Sequence, residues 1–153
     1  MSTLQARNEA MVHAPVSKIW SIITDVSLLP RINPGVISAS GIMNEPNGTR
    51  TCEVRNKGRK GRITEKLVEF VPEKRTVWQV ENDTMGMSKM LKNTRFFLTL
   101  VKVSDSSTRV TAETYYTPTN WVARVMNLLM MKRMFAGAQK EILNNIQTIS
   151  ENQ

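Results

Sequence analysis

From residue 36 to residue 117 the sequence repeats one theme six times: a run rich in Val, Ile, Thr and aromatic residues, closed by a short cluster of turn-forming residues. The runs are 36–43, 49–56, 62–70, 75–81, 88–103 and 108–117. Between them lie Asn44-Glu45-Pro46-Asn47-Gly48, residues 57–61, Val71-Pro72-Glu73-Lys74, Asn82-Asp83 and Ser104-Asp105-Ser106-Ser107. Connections this short join antiparallel neighbours, because a parallel crossover consumes about a dozen residues or more. The pattern predicts an antiparallel meander.

The flanks complete the architecture. Residues 5–13 alternate loosely, with Ala6, Ala10 and Val12 on one face, and read as a first strand. Ala14-Pro15 stops that strand and opens a helix, since proline fits a first helical turn. Val16, Ile19, Trp20 and Ile23 keep helical spacing over 16–24. Asp25 ends this helix, and Ser27 caps a second helical piece through Leu28, Leu29 and Ile32, closed by Asn33-Pro34-Gly35. Pro118 ends the last strand, and Thr119 or Asn120 caps a final helix. There Trp121, Val125, Leu128, Phe135, Ala138, Ile142, Ile146 and Ile149 form one apolar stripe. The expected fold is α+β: a seven-stranded curved antiparallel sheet, two short helices after strand 1, and a long C-terminal helix packed across the sheet. A bent sheet around one helix leaves a gap between them.

Composition narrows the chemistry. The 153 residues have an ordinary globular balance of 41% hydrophobic and 22% charged, so one domain spanning residues 1–153 is expected, with no need of a disulfide or metal to fold. One cysteine, Cys52, forms no internal bridge, and with a single histidine, His13, it cannot assemble a zinc site. Neither metal nor cofactor is expected. Nucleophilic triads would depend on His13 alone, which precedes Ala14-Pro15 at a strand end and reads as a surface residue. The net charge of +8 favours anionic partners. The N-terminal stretch is polar, and no run approaches the ~20 apolar residues of a membrane span, so a soluble, cytoplasmic protein is expected.

Several segments carry a resemblance: Val12-His13-Ala14-Pro15-Val16-Ser17-Lys18-Ile19-Trp20, Thr24-Asp25, and Leu28-Leu29-Pro30-Arg31-Ile32-Asn33-Pro34. Further matches are Glu65-Lys66-Leu67-Val68-Glu69-Phe70-Val71-Pro72 with Trp78, and Thr108-Arg109-Val110-Thr111. With these residues in this order, nearly the whole chain resembles the helix-grip superfamily of START-related lipid-transfer, polyketide cyclase/dehydrase and birch-pollen-allergen-like proteins. The resemblance implies a helix-grip (START-like) fold with a cavity for a small hydrophobic or amphipathic ligand, lipid- or polyketide-like. It selects neither a reaction nor a ligand, since the superfamily includes enzymes, carriers and sensors.

Candidate lining residues of that cavity are Trp121, Val125, Leu128 and Phe135 from the helix, with Trp78, Met87, Phe97 and Tyr116 from the sheet and its loops. Seven of the ten methionines fall in two segments, as Met85, Met87 and Met90 and as Met126, Met130, Met131 and Met134, and flexible thioethers adapt to varied apolar shapes. The loop around residues 84–90, with Gly86, is the expected mobile element. A tightly packed core without ligand is the competing reading, and a one-residue slip in strand facing exchanges every inward candidate. The alternative function is a polyketide cyclase or dehydratase moving protons with Arg55, Glu65, Glu69, Glu113, Tyr115 or Tyr116, although Glu65 and Glu69 interleave with lysine as on a solvent-facing strand. No catalytic residue is assigned.

Two surfaces bear on partners. In Arg55-Asn56-Lys57-Gly58-Arg59-Lys60-Gly61-Arg62 five of eight residues are basic and none is acidic. No aromatic interleaves them, so nucleic acid is not the expected partner, and a solvated tip or an attractor of anionic headgroups is. On the final helix Val122, Met126, Leu129, Met130 and Met134 form a second apolar stripe flanked by Arg124, Lys132, Arg133 and Lys140. Other chain segments, a homodimer or transient membrane contact would cover it.

Overall fold

The computed structural model describes residues 2–152; Met1 and Gln153, the ends of the expected 1–153 span, lie outside the described residues. Strand β1 (Thr3–Val12) leads into α1 (Val16–Ile23), a 3-10 turn (Val26–Leu28) and α2 (Leu29–Ile32). The meander follows as β2 (Val36–Gly41), β3 (Thr49–Asn56), β4 (Arg59–Val71), β5 (Arg75–Asp83), β6 (Leu91–Ser104) and β7 (Ser107–Pro118), with a single turn α3 (Met87–Met90) before β6. All neighbours are antiparallel, and the seven strands form one sheet in the order β1-β7-β6-β5-β4-β3-β2. The α+β helix-grip expectation holds. Among the described residues no helix is long and apolar enough to cross a membrane.

Local chemistry explains where the strands turn. The β3–β4 turn shrinks from the expected 57–61 to two residues, because Asn56 pairs directly with Arg59. Lys57 (φ 51) and Gly58 (φ 81) both take left-handed backbone, the geometry of a type I′ turn that matches strand twist. Bulges between Thr64 and Glu65 and between Leu67 and Glu69 in β4, and between Lys92 and Arg95 in β6, interrupt the ladders. Each bulge bends its strand, and together they curl the sheet.

The C-terminal helix runs 31 residues in three parts: α4 (Trp121–Met126), a π turn (Asn127–Met131) and α5 (Lys132–Glu151). Asn120 caps it, its side chain accepting from the Ala123 N–H at 2.9 Å. The helix lies along β1 and β7 and against α1 and α2 rather than over β3–β5. One core joins Ile19, Ile22 and Ile23 to Val12, Leu100, Val110, Leu143, Ile146 and Ile149. A second, on the β2–β5 side, holds Leu29, Val36, Met43, Cys52, Leu67 and Trp78.

The π turn corrects the expected helix stripe. Counting back from Phe135 at the α-helical period brings Leu128 and Trp121 inward, but a π turn spends about one extra residue on its wider loop. The inward positions upstream become Ala123 and Asn127, both buried, and Trp121, Val125 and Leu128 are exposed. From Phe135 onward the helix is regular, and Leu143, Ile146 and Ile149 are buried.

Candidate functional site

The concave face of the sheet carries the chemistry. In β3, Arg50 and Cys52 point inward with half-buried Val54, and their neighbours in register are Glu65 and Ile63 of β4. The Arg50 guanidinium reaches one oxygen of Glu65 from Nε at 2.6 Å and from Nη2 at 2.5 Å. Both side chains are largely buried, exposing 12% and 7% of their surface. Arg50 also lies over the Trp78 ring, 4.0 Å from its centroid, and directs Nη1 at the Met43 sulfur at 3.9 Å. A guanidinium is stabilised by such a π face, and its planar fork suits a carboxylate. Burial pushes the thiol of Cys52 up to about 11, with Arg50 lowering and Glu65 raising it, so Cys52 is a neutral apolar neighbour of the pair.

Toward the helix, aromatic rings line the same face. Phe135 packs on Tyr116 at 5.3 Å and on Phe96 at 6.1 Å between centroids, and Phe96 pairs in register with Trp78. Half-buried Met87, Met90 and Met131 border this cluster. Behind it a polar seam fixes the helix to the β1–β7 edge. The Tyr116 hydroxyl donates to Asn127 Oδ1, Asn127 Nδ2 donates to Gln5 Oε1 at 3.0 Å, and Gln5 Nε2 donates to the Tyr116 carbonyl at 3.1 Å. About three turns on, Gln139 Nε2 donates to Thr114 Oγ1 at 2.8 Å and to the Ala6 carbonyl at 3.1 Å, while its Oε1 accepts from Asn8 at 2.9 Å. Burial holds the Tyr116 hydroxyl at about 12, so it is a neutral structural donor at ordinary pH.

The methionine-bearing loop is anchored at both ends. Asp83 Oδ1 accepts from the N–H groups of Met85 and Met87, each at 2.9 Å, and Oδ2 accepts from the Ser88 N–H at 2.8 Å. Thr119 ties the other side to the helix start, donating from N to the Met90 carbonyl and from Oγ1 to the Lys89 carbonyl, each at 2.9 Å. Opposite, Asn56 at the β3–β4 tip reaches the Met134 sulfur at 3.9 Å, so the hairpin leans against the helix.

Of the expected lining residues, Tyr116 and Phe135 pack together with Met87 on the concave face, and Trp78 lies in a second cluster joined to them through Phe96. Phe97 does not: it lies on the convex face against Tyr115, with 4.8 Å between ring centroids and Arg75 above it. Phe96 stands in its place, the one-residue slip to which strand facing is always sensitive. Trp121, Val125 and Leu128 are exposed at the start of the helix. Among the acid–base candidates, Glu113 and Tyr115 share the convex face, and Glu69 pairs there with Arg75 at 3.6 Å. Arg55 is exposed beside the hairpin tip. Glu65 is buried, against the solvent-facing expectation, because its ladder partner is Arg50.

Arg50 and Phe96 were missed by sequence reasoning. A signal for Arg50 was present: Arg50, Cys52 and Val54 alternate with Thr51, Glu53 and Arg55, and the two apolar members point the first one inward. A groove of about 630 Å³ opens near the β4–β5 turn, lined by Val16, Pro72, Lys74, Leu100 and others, and includes none of the expected lining residues. Among the described residues no group of His, Cys, Asp and Glu gathers as a metal-ligand set.

The comparison that decides the family is with its sequence model, described as polyketide cyclase / dehydrase and lipid transport, which matches residues 3–151. The chain belongs to that family. No curated protein matches the sequence. Among solved structures, a START superfamily protein from Mycobacterium smegmatis is similar at 13% identity and TM-score 0.76, covering 96% of this chain and 97% of that one. The Zhui aromatase/cyclase from Streptomyces sp. R1128 is similar at 12% identity and TM-score 0.77, covering 99% and 95%. Norcoclaurine synthase from Thalictrum flavum, in complex with dopamine and hydroxybenzaldehyde, is similar at 13% identity and TM-score 0.75, covering 100% and 88%. At these identities the likeness concerns the fold, and this family member's chemistry rests on its own residues.

Proposed function

We propose that the protein is a single helix-grip domain that binds a small hydrophobic or amphipathic molecule between the sheet and the C-terminal helix, as a cytoplasmic carrier or sensor. The observation that carries this reading is the Arg50–Glu65 pair set into an otherwise apolar concave wall beside Trp78. Ligand sites are typically apolar surfaces with a few placed polar groups that fix orientation. Trp78, Phe96, Tyr116 and Phe135 would contact the apolar body of the ligand, with Met87 adapting to its shape. The remaining N–H groups of Arg50 would orient its polar end.

The pair also supports a second reading, a cyclase- or dehydratase-type enzyme. Of the six acid–base candidates only Glu65 and Tyr116 face the concave side, and Tyr116 is committed to Asn127. Proton transfer would therefore rest on Glu65, with Arg50 stabilising negative charge on the substrate.

Native mass spectrometry of freshly purified protein tests both. A stoichiometric small molecule released on denaturation supports the carrier, and its extraction gives the chemical class. An apo mass, with no saturable binding across fatty acids, sterols and aromatic polyketide analogues, would sink it. Turnover of such an analogue, abolished by Glu65→Gln, would establish the enzyme instead.

A further inference from the structure

We propose that the exposed face of α4 and the π turn docks on an anionic lipid bilayer. This surface is the most apolar stretch that the fold leaves uncovered: Trp121 is 73% exposed, Leu128 68% and Leu129 64%, with Val122, Val125, Met130 and Met134 beside them. The π turn creates the exposure, since it rotates Trp121, Val125 and Leu128 off the sheet and adds them to the stripe already facing outward. Seven large apolar side chains in one continuous helical segment exceed the scattered exposure that any surface carries.

Charge decides the occupant. No acidic residue occurs from Thr119 to Lys140, while Arg124, Lys132, Arg133 and Lys140 lie on this segment. Two tertiary contacts bring further cations to the same end of the molecule. The Asn56–Met134 contact sets the β3–β4 tip, with Arg55, Lys57, Arg59, Lys60 and Arg62, beside the helix. The Thr119 hydrogen bonds hold Lys89 next to the helix start, and Lys92 follows in register with Thr117. The acids on β3 to β5 are Glu53, Glu65, Glu69, Glu81 and Asp83; Glu65 is paired with Arg50 and Glu69 with Arg75, and Asp83 accepts from three backbone N–H groups.

A second copy of the chain fits poorly. A two-fold interface brings the same patch against itself, so these arginines and lysines would face one another with no carboxylate in the segment to offset them. An anionic bilayer satisfies both halves of the surface: the apolar side chains enter the headgroup–acyl boundary, and the basic ring meets the negative surface. Trp121, at the end of the patch, is the residue type enriched at that boundary.

Co-sedimentation of the full chain with vesicles tests this without reference to any internal ligand. The protein should pellet with phosphatidylcholine–phosphatidylserine vesicles and stay in solution with phosphatidylcholine alone. Binding should weaken by about tenfold between low and high salt. Trp121 emission should shift to the blue on binding, a shift lost in Trp121→Phe. Leu128→Ser with Leu129→Ser, and separately Arg124→Glu with Arg133→Glu, should each abolish pelleting while leaving the thermal melt unchanged, because all four side chains are exposed. Failure to pellet with either vesicle, equal pelleting with both, or undiminished binding by the Leu128/Leu129 variant would each overturn the proposal. So would light scattering showing a dimer that the same variant dissociates, which would assign the surface to a second copy.

Discussion

Arg50 is held in place by Glu65, by the face of Trp78 and by the Met43 sulfur, and their hierarchy can be measured. Its two short hydrogen bonds to Glu65 are charge-assisted, its plane rests on Trp78, and both ions are largely withdrawn from water. A buried ion pair gains little over a well-packed apolar pair, yet removing one partner strands the other charge. Arg50→Met should therefore destabilise the protein by about 3 kcal/mol, and Arg50→Met with Glu65→Leu should recover most of that loss. Urea unfolding followed by tryptophan emission reads both. A double variant as unstable as the single one would mean that the pair matters through packing on Trp78 and Met43 rather than through charge. Recovery of stability without recovery of ligand binding would separate the orienting role proposed for Arg50 from its structural one.

The near end of the loop after β5 is held by one carboxylate, that of Asp83. Burial by itself pushes the Asp83 carboxyl up, but hydrogen bonds from Ser88 and from the N–H groups of Met87 and Met85 outweigh it and leave the group below the ordinary carboxylate range. A lowered native value means that the stabilisation is fully present above the unfolded value of about 3.9 and is lost as pH falls through the native value. Hydrogen exchange corrected for its intrinsic pH dependence should show protection of the amides of Met85, Met87 and Ser88 at neutral pH. That protection should disappear on acidification below about pH 4 while the β6–β7 ladder keeps its own. Asp83→Ala should produce the same local opening at neutral pH. If the three amides stay protected in that variant, the loop is held from its other end, by Thr119.

At the scale of the molecule, the helix is fastened to the β1–β7 edge of the sheet, and the wall proposed to take a ligand lies on the β3–β6 part of the same concave face. The polar seam from Gln5 and Asn8 through Gln139 ties the helix to β1 and β7, whereas Arg50, Trp78 and Phe96 face it across the concavity. Ligand occupancy should therefore add to global stability by linkage. At a free concentration about 100 times Kd, a bound molecule should add about 2.7 kcal/mol and raise Tm by several degrees. A thermal-shift screen of amphipathic molecules reads this directly, and hits should lose their effect in the Arg50→Met, Glu65→Leu background if the polar end is anchored there. Hits unaffected by that change would place the ligand elsewhere on the surface.

Turn chemistry and hydrophobic period are local, so the elements and their succession along the chain are legible in the residues alone. Asn44 to Gly48, Val71 to Lys74 and Ser104 to Ser107 end strands wherever they fold, and consecutive hairpins then order β2 to β7, while the pairing of β1 with β7 is a long-range contact. Tertiary structure alone decided which side chains look into the concavity. In β6 that choice falls between adjacent Phe96 and Phe97, and bulges in β4 and β6 reset the alternation in ways no local signal marks. The helix shows the same limit. Its regular half was legible as far back as Phe135, but one π turn displaced the upstream stripe by about a residue and turned Trp121, Val125 and Leu128 from expected lining into surface. Glu65 reads as a solvent-facing charge until its ladder partner is known, and pairing with Arg50, fifteen residues away in the chain, is what permits its burial.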